Sequence, residues 1–61
     1  MQRQEIQKII IENKQFKVHL ISGETYIGRC ELKGAAEDLS LLTETEEKFI
    51  PFWVIKRILI F

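Results

Sequence analysis

An aromatic pair near the end of the chain is the first candidate for a binding site. Phe52 and Trp53 are adjacent, and the basic residues Lys48, Lys56 and Arg57 lie within a few positions of them. Proteins bind single-stranded nucleic acid by stacking bases on aromatic side chains beside a basic groove. This pattern predicts base stacking on one of the two rings and phosphate contacts from Lys56 and Arg57. The alternative is that both rings are buried, in the core and in a subunit interface.

Basic residues also occupy alternate positions in the first half of the chain. Lys17 and His19 are two positions apart, and Arg29 follows in a second stretch of alternating residues. Side chains at alternate positions of a strand face the same side of a sheet. Lys17 and Arg29 are therefore predicted to form a basic surface that contacts phosphates, with a solvated strand face as the alternative.

The sequence holds no combination of residues typical of an enzyme or a metal site. The single cysteine, Cys30, has no evident base partner and is predicted to be an inert, packed thiol. Residues 34–47 hold five acidic residues and no basic one, but these lack the ligand spacing of a calcium loop. We therefore expect a protein that is not an enzyme and that uses no metal, cofactor or small-molecule substrate.

Length and composition indicate one small globular domain. The chain has 61 residues, 46% of them hydrophobic, and a formal net charge of zero. A chain of about 60 residues buries only about 60% of its unfolded surface, so its core is marginal without additional support. One cysteine cannot form an internal disulfide, so we expect oligomerisation to supply that support. The lack of a long apolar run and of an export signal predicts a cytoplasmic protein with no membrane partner.

The hydrophobic periodicity predicts one helix followed by strands. Ile6, Ile9 and Ile10 have helical spacing within residues 1–13, and the period changes to two from Gln15 onwards. Tight turns and short alternating stretches then predict five strands, the last four over about 26–32, 39–43, 48–52 and 55–61. The predicted fold is mainly β: an N-terminal helix over 1–13 and a strongly bent, five-stranded antiparallel SH3-like barrel over 15–61.

The end of the chain predicts contact with another subunit. Residues 58–61 are all apolar, and an exposed apolar edge strand is a hazard that natural proteins cover. Edge strands of two copies that pair head to tail close into a ring when the rotation permits. The alternative is a strand buried within one barrel under the helix. The predicted interface residues are Ile50, Phe52, Ile58, Leu59, Ile60 and Phe61.

Two groups of residues give the chain a family resemblance. Val18, Leu20, Gly23, Tyr26, Gly28 and Cys30 match a first motif, and Ile50, Ile55 and Ile58 match a second. With the preceding helix, this order resembles the Sm-like family, most closely its bacterial Hfq branch of RNA chaperones. The resemblance implies a bent five-stranded barrel and a ring of six or seven subunits, joined between the fourth and fifth strands, that binds single-stranded RNA.

The same resemblance implies further site residues. It places Asp38 as a carboxylate and Leu39 at the base-stacking position in the loop between the second and third strands. It also places Gln4 on the helical face that helps to bind uridine-rich RNA. Where Hfq has Tyr-Lys-His, this chain has Pro51-Phe52-Trp53, so the usual uridine site is lost or rebuilt.

Two functions follow from these observations. The first is a homo-oligomeric, ring-forming Sm-like protein that binds single-stranded RNA. The second is an SH3-like small barrel that acts as a structural or protein-binding module without nucleic acid, which the zero net charge favours. Binding through phosphates weakens steeply with added salt, so salt dependence separates the two.

Overall fold

The computed structural model describes residues 1–11, 13–33 and 36–61, and it confirms the predicted mainly β fold. One N-terminal helix precedes a five-stranded antiparallel sheet, consistent with an SH3-like barrel. The elements in chain order are α1 (Arg3–Ile9), β1 (Gln15–Leu20), β2 (Thr25–Glu31), β3 (Asp38–Leu42), β4 (Glu47–Pro51), a 3₁₀ helix (Phe52–Val54) and β5 (Ile55–Ile60).

The helix is shorter than predicted. It ends at Ile9 instead of Asn13, and Ile10 already has an extended backbone. Ile9, Ile10 and Ile11 form a β-branched run, whose restricted side chains disfavour continued helix. Asn13 adopts a positive φ of 66°, and Glu12, within the predicted helix, lies outside the described residues.

The sheet has the strand order β4-β3-β2-β1-β5, so β4 and β5 are its two edges. Glycine permits two of its sharp features. Gly23 has a φ of 98° in the turn between β1 and β2, where a side chain would be strained. Gly28 lies so close to the carbonyl of Leu42 that a Cβ atom there would collide with backbone, which lets β2 and β3 approach each other.

The core lies between α1 and the inner face of the bent sheet. Ile6 is fully buried where α1 packs against β5, and strand β3, between β4 and β2, buries Leu39, Ser40 and Leu41 completely. Burial of apolar side chains is the main stabilising contribution in a domain of this kind. The buried apolar residues are Ile6, Phe16, Val18, Cys30, Leu39, Leu41, Ile50, Phe52, Ile55 and Ile58.

The segment around the aromatic pair differs from the prediction. Strand β4 ends at Pro51, and Phe52 begins a 3₁₀ helix instead of ending the strand. Pro51 has no N–H to donate, whereas the Phe52 N–H donates to the carbonyl of Glu37 at 3.1 Å. The tight turn buries Phe52 to 5% exposure and leaves Trp53 66% exposed.

No helix in the described part of the chain is long and apolar enough to cross a membrane.

Candidate nucleic-acid and assembly surfaces

The two edges of the sheet expose large apolar side chains. On β4, Phe49 is 59% exposed, and at the end of β5, Ile60 is 67% and Phe61 65% exposed. Leu59 is also exposed, at 46%. An uncovered edge strand presents unpaired backbone groups as well as these side chains, so it is a template for pairing with another chain.

The predicted interface residues divide between the edge and the core. Leu59, Ile60 and Phe61 are exposed at the β5 edge, where an interface requires them. The other three are 5% exposed each and belong to the core of the single chain, so their side chains offer no contact surface. The inner face of the bent sheet is covered by the chain's own helix, so side chains on that face cannot contact a neighbouring copy. These three buried residues are Ile50, Phe52 and Ile58.

A groove runs beside β4. It has a volume of about 290 Å³, and its apolar lining includes Leu20, Pro51 and Val54. Tyr26 and Lys48 form one wall, with the Lys48 ammonium 5.0 Å from the centre of the Tyr26 ring. This geometry is a cation–π contact. The groove therefore combines an apolar floor with an ammonium group at the strand edge that is paired with the Glu46 carboxylate at 3.1 Å.

The outer face of β2, β1 and β5 carries basic and apolar side chains in register. Lys17 on β1 is paired with Ile27 on β2 and with Leu59 on β5. His19 is paired in the same way with Thr25 and Arg57. Residues paired across a sheet point to the same side, so Lys17 and Arg57 share one solvent-facing surface. We call this surface the outer basic face.

Two further contacts extend the outer basic face. Arg29 on β2 is paired with Gln15 on β1, and the Phe61 N–H donates to the Gln15 carbonyl at 3.1 Å. The Lys17 ammonium lies 5.8 Å from the centre of the Phe61 ring. β1 and the stretches of β2 and β5 that pair with it hold no acidic residue, whereas Glu31 ends β2 two positions after Arg29. The face therefore suits an anionic partner that also presents flat or apolar groups.

His19 is the polar residue of this face whose bonding is incomplete. Its Nδ1 atom lies 3.3 Å from the Thr25 hydroxyl. Its Nε2 atom is buried and has no hydrogen-bond partner among the described residues. A buried polar atom without a partner is uncommon in folded proteins, because its desolvation is not offset.

Trp53 belongs to a different site. A cavity of about 280 Å³ is lined by Trp53, Phe52, Arg3 and Glu37, together with the first two residues of the chain. The Arg3 guanidinium lies 5.4 Å from the centre of the Phe52 ring, and its Nη2 donates to the Ala36 carbonyl. We call this the Trp53 cavity. It combines an exposed indole with a guanidinium and a carboxylate.

The predicted RNA-binding residues therefore fall into separate groups. Lys17, Arg29 and Arg57 lie on the outer basic face, whereas Trp53 lines its own cavity. Lys56 is exposed at the start of β5, where the register shifts and no β1 residue is paired with it. The close sequence spacing of the aromatic pair and the last basic residues thus does not produce one site.

The remaining predicted residues have different positions. Gln4 is exposed on α1, and Asp38 is half-buried at the start of β3 opposite Pro51. The prediction that Leu39 stacks on a base is wrong in this fold, because its side chain is fully buried in the core. Phe52 is ruled out as an exposed stacking platform for the same reason, since it is 5% exposed.

Three surface residues had no role in the sequence prediction. Arg3 and Glu37, for which the sequence suggested no binding role, both line the Trp53 cavity. Phe49 is exposed because it alternates with the buried Ile50 on β4. The alternation of Phe49 with an inward residue was visible in the sequence. The positions of Arg3 and Glu37 at the cavity depend on the approach of the chain's beginning to the 3₁₀ helix, which no local sequence pattern encodes.

A polar cluster fixes β4 against β3 on the acidic side of the molecule. The Glu47 carboxylate accepts a hydrogen bond from the Lys33 ammonium at 2.6 Å and another from the buried Ser40 hydroxyl at 2.5 Å. These bonds favour the charged carboxylate, so they lower the pKa of Glu47, with Lys33 the larger cause. The cluster orders the strand that carries Phe49.

The buried thiol of Cys30 and the acidic residues were the remaining candidates for chemistry. Burial raises the pKa of the Cys30 thiol to about 11, so the reactive thiolate is scarce at neutral pH. The described residues contain no group of three or more His, Cys, Asp or Glu side chains suited to hold a metal ion.

No protein-family model, no curated protein and no solved structure matches this chain.

Proposed function

We propose that this protein assembles with copies of itself through its two sheet edges into a closed ring, and that the ring binds single-stranded RNA. The observation that carries the proposal is the pair of uncovered edges, β4 and β5, each with large exposed apolar side chains. The sequence resemblance to the Sm-like family supports the same assembly and implies six or seven subunits.

The assembly step has a simple physical basis. If β5 of one copy lies antiparallel beside β4 of the next, the sheet continues across the interface and the unpaired backbone groups of both edges are satisfied. The exposed Ile60 and Phe61 then leave water. Their burial contributes roughly 1.5–3 kcal/mol for each fully buried side chain. The contact joins two different surfaces, so repeating it produces a ring or a filament.

The RNA-binding step rests on the outer basic face. Lys17, Arg29 and Arg57 supply positive charge to a protein with zero net charge, and no acidic residue intervenes between them in the paired strands. Phosphate contacts position a nucleic acid without reading its sequence. In a ring, each subunit repeats this face, so several weak sites act on one strand with high effective concentration.

Native mass spectrometry of the wild type and of Ile60→Lys tests the assembly. We expect a ring mass for the wild type and a monomer mass for the variant, because a charge at the apolar edge opposes its burial. Ile11→Lys is the matched control, since Ile11 is an exposed isoleucine (52%) outside both edge strands. A wild type that stays monomeric, or an Ile60→Lys variant that keeps the ring mass, would contradict the proposal.

Titration with oligo-U and oligo-A RNA at several salt concentrations tests the ligand. Phosphate contacts predict a steep loss of affinity with added salt. A ring that binds neither RNA would support the proposed assembly and contradict the proposed RNA binding. That outcome would favour the alternative function, a structural or protein-binding module whose apolar groove beside β4 receives a peptide.

A further inference from the structure

The exposed indole of Trp53 is the starting point for a more specific inference. Phe52 and Trp53 are neighbours on the same short 3₁₀ helix, yet one is 5% and the other 66% exposed. The burial of Phe52 secures the helix to the core and so gives Trp53 a fixed support. An aromatic ring presented in this way is a stacking platform for a nucleobase, worth about 1–3 kcal/mol per base.

The cavity beside the indole carries a fixed hydrogen-bond donor group. The Arg3 guanidinium lies over the Phe52 ring and donates through Nη2 to the Ala36 carbonyl. These two contacts orient the guanidinium and use few of its five N–H groups. The remaining N–H groups are available to a ligand with adjacent acceptors.

The same cavity also carries an acceptor group. The Glu37 carbonyl accepts the Phe52 N–H at 3.1 Å, which holds this residue beside the 3₁₀ helix. Its carboxylate has no salt-bridge partner among the described residues. An ionised carboxylate accepts two parallel hydrogen bonds from a ligand that presents two adjacent donors.

We propose that the Trp53 cavity binds a guanine base. Guanine has a flat ring system for the indole, two adjacent donors at N1 and N2 for the Glu37 carboxylate, and acceptors at O6 and N7 for Arg3. Arginine paired with guanine O6 and N7 is the commonest specific contact to a base edge. The inference rests on the proposed RNA binding and names the base at this site.

Other ligands match the cavity less well. Adenine, cytosine and uracil each present a single donor group in place of the adjacent pair that guanine offers to a carboxylate. A cationic side chain is disfavoured because Arg3 already places a positive charge against the Phe52 ring. The volume of about 280 Å³ is just below the usual range for small-molecule pockets, which suits one base.

Fluorescence titration of the wild-type protein provides the test. Trp53 is the only tryptophan, so stacking on it is reported without interference from another indole. The probes are GMP and IMP, which differ only in the N2 amino group that is assigned to Glu37. We expect GMP to bind about tenfold more tightly than IMP, in line with the discrimination of a bidentate base contact. Equal affinities, or no quenching by either nucleotide, would overturn the proposal.

Two variants sharpen the result. Glu37→Gln should reduce the GMP preference to within about twofold, because an amide presents only one acceptor oxygen to the base. Glu44→Gln is the matched control, an exposed glutamate in the β3–β4 hairpin outside the cavity, and should keep the wild-type preference. A Glu37→Gln variant that still prefers GMP over IMP tenfold would also refute the assignment.

The result is separable from the proposed function. A ring that binds RNA with a steep salt dependence but treats GMP and IMP alike would retain the proposed function and remove the guanine site. A monomer that prefers GMP over IMP would do the reverse. In the second case, the indole cavity alone would remain as the binding site.

Discussion

The two halves of the sheet use their polar residues in different ways. In and beside the β3–β4 half, polar side chains bond to one another: Lys33 and Ser40 donate to Glu47, and Lys48 lies 3.1 Å from Glu46. In the β1–β5 half, the basic side chains are paired across strands with neutral residues and have no anionic neighbour in register. The first half satisfies its own charges, whereas the second presents them to solvent beside an apolar edge. The comparison shows that polar side chains are bonded within the first half, whereas the outer basic face of the second half is the surface that we propose for RNA.

The largest expected effect is a loss of stability from a substitution in the β3–β4 half. Leu39→Ala removes a fully buried side chain from β3, and such truncations cost about 2–5 kcal/mol. We expect a loss of this size in the free energy of unfolding, measured by chemical denaturation. Ile11→Ala, at a 52% exposed position, should change it by less than about 0.5 kcal/mol. A loss below about 1 kcal/mol for Leu39→Ala would mean that Leu39 is not in the core.

A pH-dependent effect concerns the cluster on β4. The hydrogen bonds from Lys33 and Ser40 lower the pKa of Glu47 from its ordinary value of 4.5. A lowered native pKa stabilises the folded state above the unfolded pKa, and that stabilisation is lost as the pH falls through the native value. Unfolding free energy measured from neutral pH downwards should therefore decline below about pH 4.5 in the wild type and less steeply in Glu47→Gln.

The control for this pH effect comes from the same hairpin. Glu44→Gln removes a carboxylate that holds neither Ser40 nor Lys33, so it should keep the wild-type dependence on pH. If Glu47→Gln and Glu44→Gln gave the same profile as the wild type, the cluster would have no part in stability at low pH.

The smallest expected effect concerns the second half. Arg57→Gln removes one phosphate contact from the outer basic face, so RNA affinity should fall and the slope of log affinity against log salt should decrease by about one. Lys8→Gln, at an exposed position of α1, removes a charge outside that face and should leave the slope unchanged. Identical slopes for all three proteins would exclude Arg57 from the RNA contact.

The sequence predicted the elements of the fold better than the site. The period of two from Gln15 predicted the strands, and the fourth predicted strand, over 48–52, corresponds to β4 over Glu47–Pro51. Strand alternation could not predict which of Phe52 and Trp53 faces the core, because a 3₁₀ helix replaces the strand at Phe52. Leu39 was assigned to the base-stacking position by resemblance, but β3 lies inside the sheet between β4 and β2 and its Leu39 side chain belongs to the core.

The parts of the site that could not be predicted depend on contacts between residues that are distant in sequence. Arg3, Glu37 and Trp53 meet at one cavity only because the chain's beginning folds against the 3₁₀ helix near its end. Local periodicity carries no information about such a meeting. The outer basic face was partly predictable, since the alternation of Lys17 and Arg29 with apolar residues indicated exposed strand positions.

A mixed cross-linking experiment tests most directly whether the β4 edge of one copy meets the β5 edge of another. Phe49→Cys and Leu59→Cys each place one thiol on the outer side of an edge strand, and a register that sets Phe49 opposite Leu59 brings their Cα atoms within the 4.4–6.8 Å that a disulfide needs. The native Cys30 is buried and its pKa is about 11, so it competes little. After mild oxidation, we expect a disulfide-linked dimer only when the two variants are mixed. Cross-linking within either variant alone would indicate a symmetric contact, and none in the mixture would contradict pairing between the edges.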